Sequence, residues 1–322
     1  MGSDRSAKRH TALKITLGIC AVLILGSLFV FRQPSPVGHW RSAEGHAEFV
    51  SHYTQAMRAL PEPASIMDIR TQYGIVRIYR FTGESTGIDP LVLLPGRASG
   101  SPIWGDNLPT LLEIADVYTI DLLGEPGMSV QTRPIKDDTE QAAWLDQTLA
   151  HLPEESFNIV GLSIGGWTAA NLALKAPEQI ASLTLIDPVF VFDGMPIETI
   201  LRSIPASLPF LPREWRDSFN SWTAGGARIQ EVPVADMIEA GMQHYAIKLP
   251  QPAQLSQQAL AGIEVPMLAI LAGESVMHDP AAAISTAERV ADTVSVYDNA
   301  SHAISGEHPE EIAADIADFL AR

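Results

Sequence analysis

The stretch Phe157-Asn158-Ile159-Val160-Gly161-Leu162-Ser163-Ile164-Gly165-Gly166-Trp167-Thr168-Ala169-Ala170-Asn171 decides how the whole chain is read. Its opening residues form a short, nearly all-apolar run, the signature of a strand buried on both faces. From Ile164 onward, small and apolar residues continue as a helix to Lys175. At the junction, Gly161-Leu162-Ser163-Ile164-Gly165 matches G-x-S-x-G. Composition alone yields about 0.1 such matches in a chain this long, so the setting carries more weight than the pentapeptide. A serine on a strand-to-helix turn is forced into a strained backbone shape that exposes its Oγ. Glycines on either side leave room where strand and helix cross. The helix N-terminus brings N–H groups and a positive dipole end to the serine. Ser163 is therefore the candidate nucleophile; the competing reading is an ordinary glycine-rich turn.

Outward from this turn, strands and helices alternate. Residues 66–71 and 74–81 read as a hairpin, and 91–94, 117–123, 181–186, 266–271 and 294–297 as further strands. Helical spacing appears at 108–114, 139–152, 280–291 and 309–320. Short apolar strands between helices imply a mainly parallel sheet with helices on both faces, edged by an antiparallel hairpin. The rhythm breaks between Ile186 and Pro266, where Pro205, Pro209, Pro212, Trp215, Trp222, Met237 and Met242 fall. A structureless loop of that length is improbable in a compact domain, so a helical cap is expected at about 189–264.

A serine hydroxyl needs a base within hydrogen-bonding range. Nine histidines are available. His302, on the loop after the last strand, can reach a serine on a central strand tip because parallel strands end on one edge of the sheet. His244 and His278 can also face the cleft. His302 taken alone reads as a solvated loop residue; its place after Ser163 in chain order makes it the candidate base.

Together these residues resemble the α/β-hydrolase fold family over about residues 66–322. The resemblance is carried by Leu94-Pro95-Gly96, by Asp121-Leu122-Leu123-Gly124-Glu125-Pro126-Gly127-Met128-Ser129, by Gly161–Gly165, by Ala272-Gly273 and by His302. It implies an eight-stranded sheet with a helical cap inserted after the sixth strand, triad chemistry, and an oxyanion hole made by the backbone N–H groups of Arg97 and Ile164. Such donors contribute about 3–4 kcal/mol each. The Arg97 side chain is expected to bond Asp106 or Glu113 on the surface, ahead of pairing a substrate carboxylate. No metal or organic cofactor is required.

The pattern departs from the family at the acid. The usual position, three residues after Gly273, is Val276, which cannot orient a histidine. Asp187, in Leu185-Ile186-Asp187-Pro188 at the end of the sixth strand, is the first substitute. Asp279 is the second, although it also suits the N-cap of the helix starting at Pro280, and Glu274 is the last. Asp187 can instead simply fix the turn it sits in.

Composition bounds the function. The chain has 322 residues, 46% hydrophobic and 18% charged, with a net charge of −17. Setting aside residues 1–32, with five bases and one acid, leaves −21 for the body. So acidic a surface repels phosphate backbones, which excludes nucleic acid as a partner. Cys20 is the only cysteine, so there is no intrachain disulfide and no Cys-based metal site. Residues 15–31 carry no charge and span about 26 Å as a helix. Four bases precede them and Arg32 follows, which predicts a transmembrane signal anchor, a cytoplasmic tail over 1–14 and an extracytoplasmic body. A cleaved signal, giving a secreted protein, and a buried helix are the competing readings. Residues 32–65 read as a tether with one short helix.

The expectation is thus a membrane-anchored serine hydrolase that cleaves a small-molecule carboxylic ester. The cap's aromatic and Met side chains favour an apolar group, unless they only pack the cap onto the sheet. Another chemistry on the same scaffold (C–C hydrolase, peroxidase or lyase) is the alternative enzyme. Val276 speaks for a non-catalytic extracytoplasmic binding protein. The oligomeric state is not legible.

Overall fold

The computed structural model describes residues 35–228 and 232–322. The predicted tail 1–14 and apolar run 15–31 lie outside the described residues. No helix among the described residues is long and apolar enough to cross a membrane. One compact unit runs from Val37 to Arg322, so the domain begins well before the expected 66.

In chain order the unit opens with β1 (His39–Trp40), α1 (Ala43–Met57), β2 (Ser65–Arg70), β3 (Gly74–Phe81) and β4 (Leu91–Leu94). Then come α2 (Leu108–Ile114), β5 (Val117–Ile120), β6 (Val130–Gln131), α3 (Asp138–Leu149), β7 (Phe157–Leu162), α4 (Ile164–Lys175) and β8 (Ile180–Ile186). The cap carries α5 (Ile197–Ala206), α6 (Arg213–Thr223), α7 (Pro233–His244) and β9 (Tyr245–Ala246), and α8 (Gln257–Leu260) leads back to the sheet. The chain closes with β10 (Met267–Ala272), α9 (Pro280–Val290), β11 (Thr293–Tyr297), α10 (Ile304–Glu307) and α11 (Pro309–Leu320).

The main sheet runs β11-β10-β8-β7-β4-β5-β3-β2. The six strands from β11 to β5 are parallel, and β3 and β2 are antiparallel to their neighbours. The expected α/β-hydrolase architecture is therefore present, with the cap between β8 and β10. The sheet has nine strands rather than eight, because the two-residue β6 also pairs with β3. The predicted strand 117–123 stops at Ile120, and the same residue causes both differences. The buried Asp121 carboxylate accepts hydrogen bonds from the Ser101 N–H and Oγ (2.7 Å each), the Tyr53 hydroxyl (2.9 Å) and the Met128 N–H (2.7 Å). Ser129 Oγ donates to the Asp121 carbonyl at 2.6 Å. These bonds end β5 and turn the chain back against β3.

Residues 37–65 are more than a tether. Ser42 caps α1 by accepting from the Gly45 N–H at 3.0 Å. On the helix's inner side Phe49, Tyr53 and Ala56 are buried, and α1 packs along the cap helix α7. Beside it, β1 pairs antiparallel with β9. Two hydrophobic layers cover the sheet, one containing Trp144, Trp167 and Phe157, the other Phe49, Trp104 and Ile316. The central strands β4, β5, β7 and β10 are buried along their whole length, as parallel strands covered on both faces must be.

Candidate active site

Ser163 sits between β7 and α4 with φ +54° and ψ −115°, a strained backbone for a residue with a side chain. The flanking glycines explain how the turn closes. A Cβ on Gly161 would run into the Gly165 carbonyl, and one on Gly165 into the Leu94 carbonyl of the neighbouring strand. Any side chain at either position would push strand and helix apart, so this sequence alone permits the tight crossing that lifts Ser163.

The loop after β11 brings His302 over this turn. His302 Nε2 lies 2.9 Å from Ser163 Oγ, and its Nδ1 lies 2.5 Å from Asp187 Oδ2. The three expected residues thus form one hydrogen-bonded line. Asp187 stands at the end of β8 with φ +40° and is fully buried. The other two carboxylates are elsewhere. Asp279 accepts from the Ala282 N–H at 3.0 Å and caps α9. Glu274 is exposed, and its N–H bonds the Ala300 carbonyl.

Asp187 accepts four hydrogen bonds. Oδ2 takes His302 and Ser275 Oγ (2.7 Å), while Oδ1 takes the Ala272 N–H (3.1 Å) and His278 Nε2 (2.9 Å). Burial alone would push this carboxyl up, but the hydrogen bonds and charge of the two histidines outweigh it and hold it below the usual carboxylate range. His278 is the counterpart: burial pulls its pKa down, and the bond to Asp187 raises it further. From the sequence, His278 is expected only to be able to face the cleft, and nothing singles out Ser275. Their signal was positional: both lie on the loop after β10, where the family carries its acid. Here that loop supplies donors to an acid on the preceding strand.

The expected oxyanion donors also flank the serine. Ile164 begins α4, so its N–H has no carbonyl one turn earlier to bond. The turn before Arg97 approaches from β4: a Cβ on Gly96 would come 3.7 Å from Ser163 Cβ. The Arg97 side chain does not reach Asp106 or Glu113. Its Nη1 lies 3.3 Å from Glu125 Oε1. Glu125 is buried, which pushes its pKa up against the pull of Arg97, and it also accepts from the Ala98 N–H at 3.3 Å. The Arg–Glu contact thus braces the 95–98 turn.

The cap closes over the line. Ser163 is only 8% exposed. The His302 N–H donates to the Thr223 carbonyl at 3.2 Å, and Gly225 rests on Ser301. A buried ion pair, Arg216 Nη2 to Glu239 Oε1 at 2.6 Å, locks α6 to α7.

The sequence profile of the alpha/beta hydrolase fold matches residues 89–227. Carboxylesterase YbfK of Bacillus subtilis is 22% identical over 288 residues, 87% of this chain and 95% of its own. The structure of naproxen esterase (carboxylesterase NP), also from Bacillus subtilis, superposes with a TM-score of 0.78 at 21% identity, covering 86% of this chain and 99% of that one. A membrane phospholipase A superposes with a TM-score of 0.65 at 20% identity, covering 96% of this chain and 98% of that one.

Proposed function

We propose, for a chain that belongs to the α/β-hydrolase fold family and is a carboxylesterase-like hydrolase, that Ser163, His302 and Asp187 cleave a small carboxylic ester through an acyl-enzyme. The reading rests on the unbroken line from Ser163 Oγ through His302 to the buried Asp187. His302 Nε2 takes the Ser163 proton as Oγ attacks the ester carbonyl carbon. The backbone N–H groups of Arg97 and Ile164 hold the resulting oxyanion. As the intermediate collapses, His302 returns the proton to the leaving alcohol. Water, deprotonated by His302, then attacks the acyl group and frees Ser163. Asp187 keeps the imidazole proton on Nδ1, so that Nε2 faces the serine as an acceptor.

The aromatic and Met side chains of the cap, Trp222, Met237 and Met242 among them, favour an ester with an apolar acyl or alcohol group. The charge-free run 15–31 with bases before it favours a signal anchor and an extracytoplasmic body. The membrane phospholipase A among the similar structures is consistent with that anchoring. The test is a fluorophosphonate probe with a panel of esters of graded chain length. Wild type should be labelled at Ser163 and should hydrolyse the panel. Ser163→Ala should remain folded, unlabelled and inactive. Turnover at the wild-type rate in that variant would remove Ser163 from the mechanism.

A further inference from the structure

Ten large hydrophobic side chains stand exposed among the described residues, and six of them fall within residues 197–215 of the cap. Four lie on one helix. Ile197, Ile200, Leu201 and Ile204 recur at the spacing that puts residues on a single helical face. That face points away from the body: Ile197 is 76% exposed and Leu201 61%. The opposite face of α5 does the packing. Thr199 and Ala206 are buried, and the Thr199 hydroxyl bonds the Val276 carbonyl on the loop beside Asp187. The turn after α5 adds Phe210, 78% exposed, and α6 adds Trp215. Exposed apolar side chains gathered on one helix face and the turn after it mark a site of association.

Chain path and charge say what covers it. Trp40 and His39 pair with Tyr245 and Ala246, the strand that ends α7, so the polypeptide enters the body at the cap. Phe31, the last residue of the apolar run, is six residues before Val37, a reach of about 20 Å at full extension. On the anchored reading proposed above, a link of this length holds the first residues of the body within about that reach of the bilayer. Charge permits contact there. Apart from the buried Arg216, residues 197–228 hold three arginines against three acids in a chain of net −17. On α5 itself Arg202 and Glu198 pair with each other at 2.9 Å. A near-neutral face with aliphatic side chains at its centre and Phe and Trp beside them suits the bilayer interface.

We propose that the outer face of α5 and the turn leading into α6 dock on the lipid bilayer, laying the cap on the membrane so that ester substrates reach Ser163 from the lipid phase. This rests on the anchored serine-hydrolase reading above. The site has a physical link to the docked surface, since α6 carries Trp215 near one end and meets the His302 loop through Thr223 at the other.

The test uses the full chain in phosphatidylcholine vesicles, with Cys20→Ser and one new cysteine bearing an environment-sensitive dye. Phe210→Cys reports on the cap, and Ile66→Cys, on the outermost strand β2, is the control. Flotation measures anchoring separately. The proposal expects both proteins to float, with doxyl-labelled lipid quenching the dye at 210 at least about twofold and leaving the dye at 66 unchanged. A second arm compares wild type with Leu201→Ser/Phe210→Ser. Hydrolysis of a soluble short-chain ester should be unchanged, while that of a long-chain ester carried in the vesicles should fall about tenfold. Proteins that float with equal quenching at 210 and 66 overturn docking alone. A chain that fails to float overturns the anchored reading, and docking with it. Dye at 210 shielded without lipid in a dimeric protein makes a second copy the occupant, which also overturns the proposal. A chain inert toward every ester but quenched at 210 keeps the docking surface and removes its substrate role.

Discussion

Asp187→Asn separates orientation of the histidine from everything else the acid does. Four donors point at this carboxylate, and they are not equivalent. The Ala272 N–H at Oδ1 is backbone and cannot become an acceptor. Ser275 Oγ and His302 Nδ1 at Oδ2 can, by rotation of the hydroxyl and by a change of tautomer. An asparagine must therefore keep its oxygen at the Ala272 side and turn its NH2 toward His302. The imidazole then accepts at Nδ1 and carries its proton on Nε2, facing Ser163, where it cannot act as a base. Wrong-tautomer variants of such triads lose about 10⁴ in kcat, about 5 kcal/mol of transition-state stabilisation. The assay is kcat on a chromogenic short-chain ester, with thermal melts to confirm folding. Asp279→Asn is the matched control. It should keep near-normal kcat and nearly the same Tm, because asparagine caps a helix as well as aspartate does. An inactive Asp279→Asn beside a nearly normal Asp187→Asn would refute this reasoning.

Other outcomes follow from particular contacts. His278 holds a proton more tightly folded than unfolded because of Asp187, so its contribution is complete below its ordinary value of 6.5 and is lost as pH rises through the folded value. The Tm gap between wild type and His278→Asn should therefore be wider at pH 6 than at pH 9, and a gap that grows with pH contradicts the pairing. Gly165→Ala drives a Cβ into the Leu94 carbonyl and should cost about 3 kcal/mol or more, seen as a large loss of Tm or of soluble protein. Arg216→Met leaves Glu239 buried without its partner and should cost about 3–5 kcal/mol; accelerated limited proteolysis within the cap would show it, and Arg216→Met/Glu239→Leu should recover much of the loss. Alkaline phosphatase fused after Arg322 should be active in a bacterial host if the body lies outside the cytoplasm, whereas an active cytoplasmic reporter at that point would reverse the topology.

The local features were legible because they are local. Alternation of short apolar runs with 3.6-spaced segments depends only on neighbouring side chains, so the strands, the helices around the sheet and the strand-to-helix turn at Ser163 could be read directly. Two glycines four residues apart announced a close crossing before any partner was known. What tertiary structure alone decided are the pairings between distant residues. Asp187 outranks Asp279 by where β8 ends relative to the β11 loop, 115 residues apart in sequence. The sequence could name both carboxylates, but a difference of a few ångströms in approach lies outside any periodicity. The same limit hid His278 and Ser275, whose chemistry depends on a carboxylate 91 and 88 residues away. It hid Glu125 as the partner of Arg97, since surface acids closer in sequence were equally plausible. Residues 32–65 read as a tether with one short helix, because the partners of β1 and α1, namely β9 and α7, come only after about two hundred residues of intervening chain. The apolar face of α5 lay inside a stretch read only as a cap, and only the fold shows that this face points outward. Periodicity determines which side chains share a face, and long-range packing decides what that face meets.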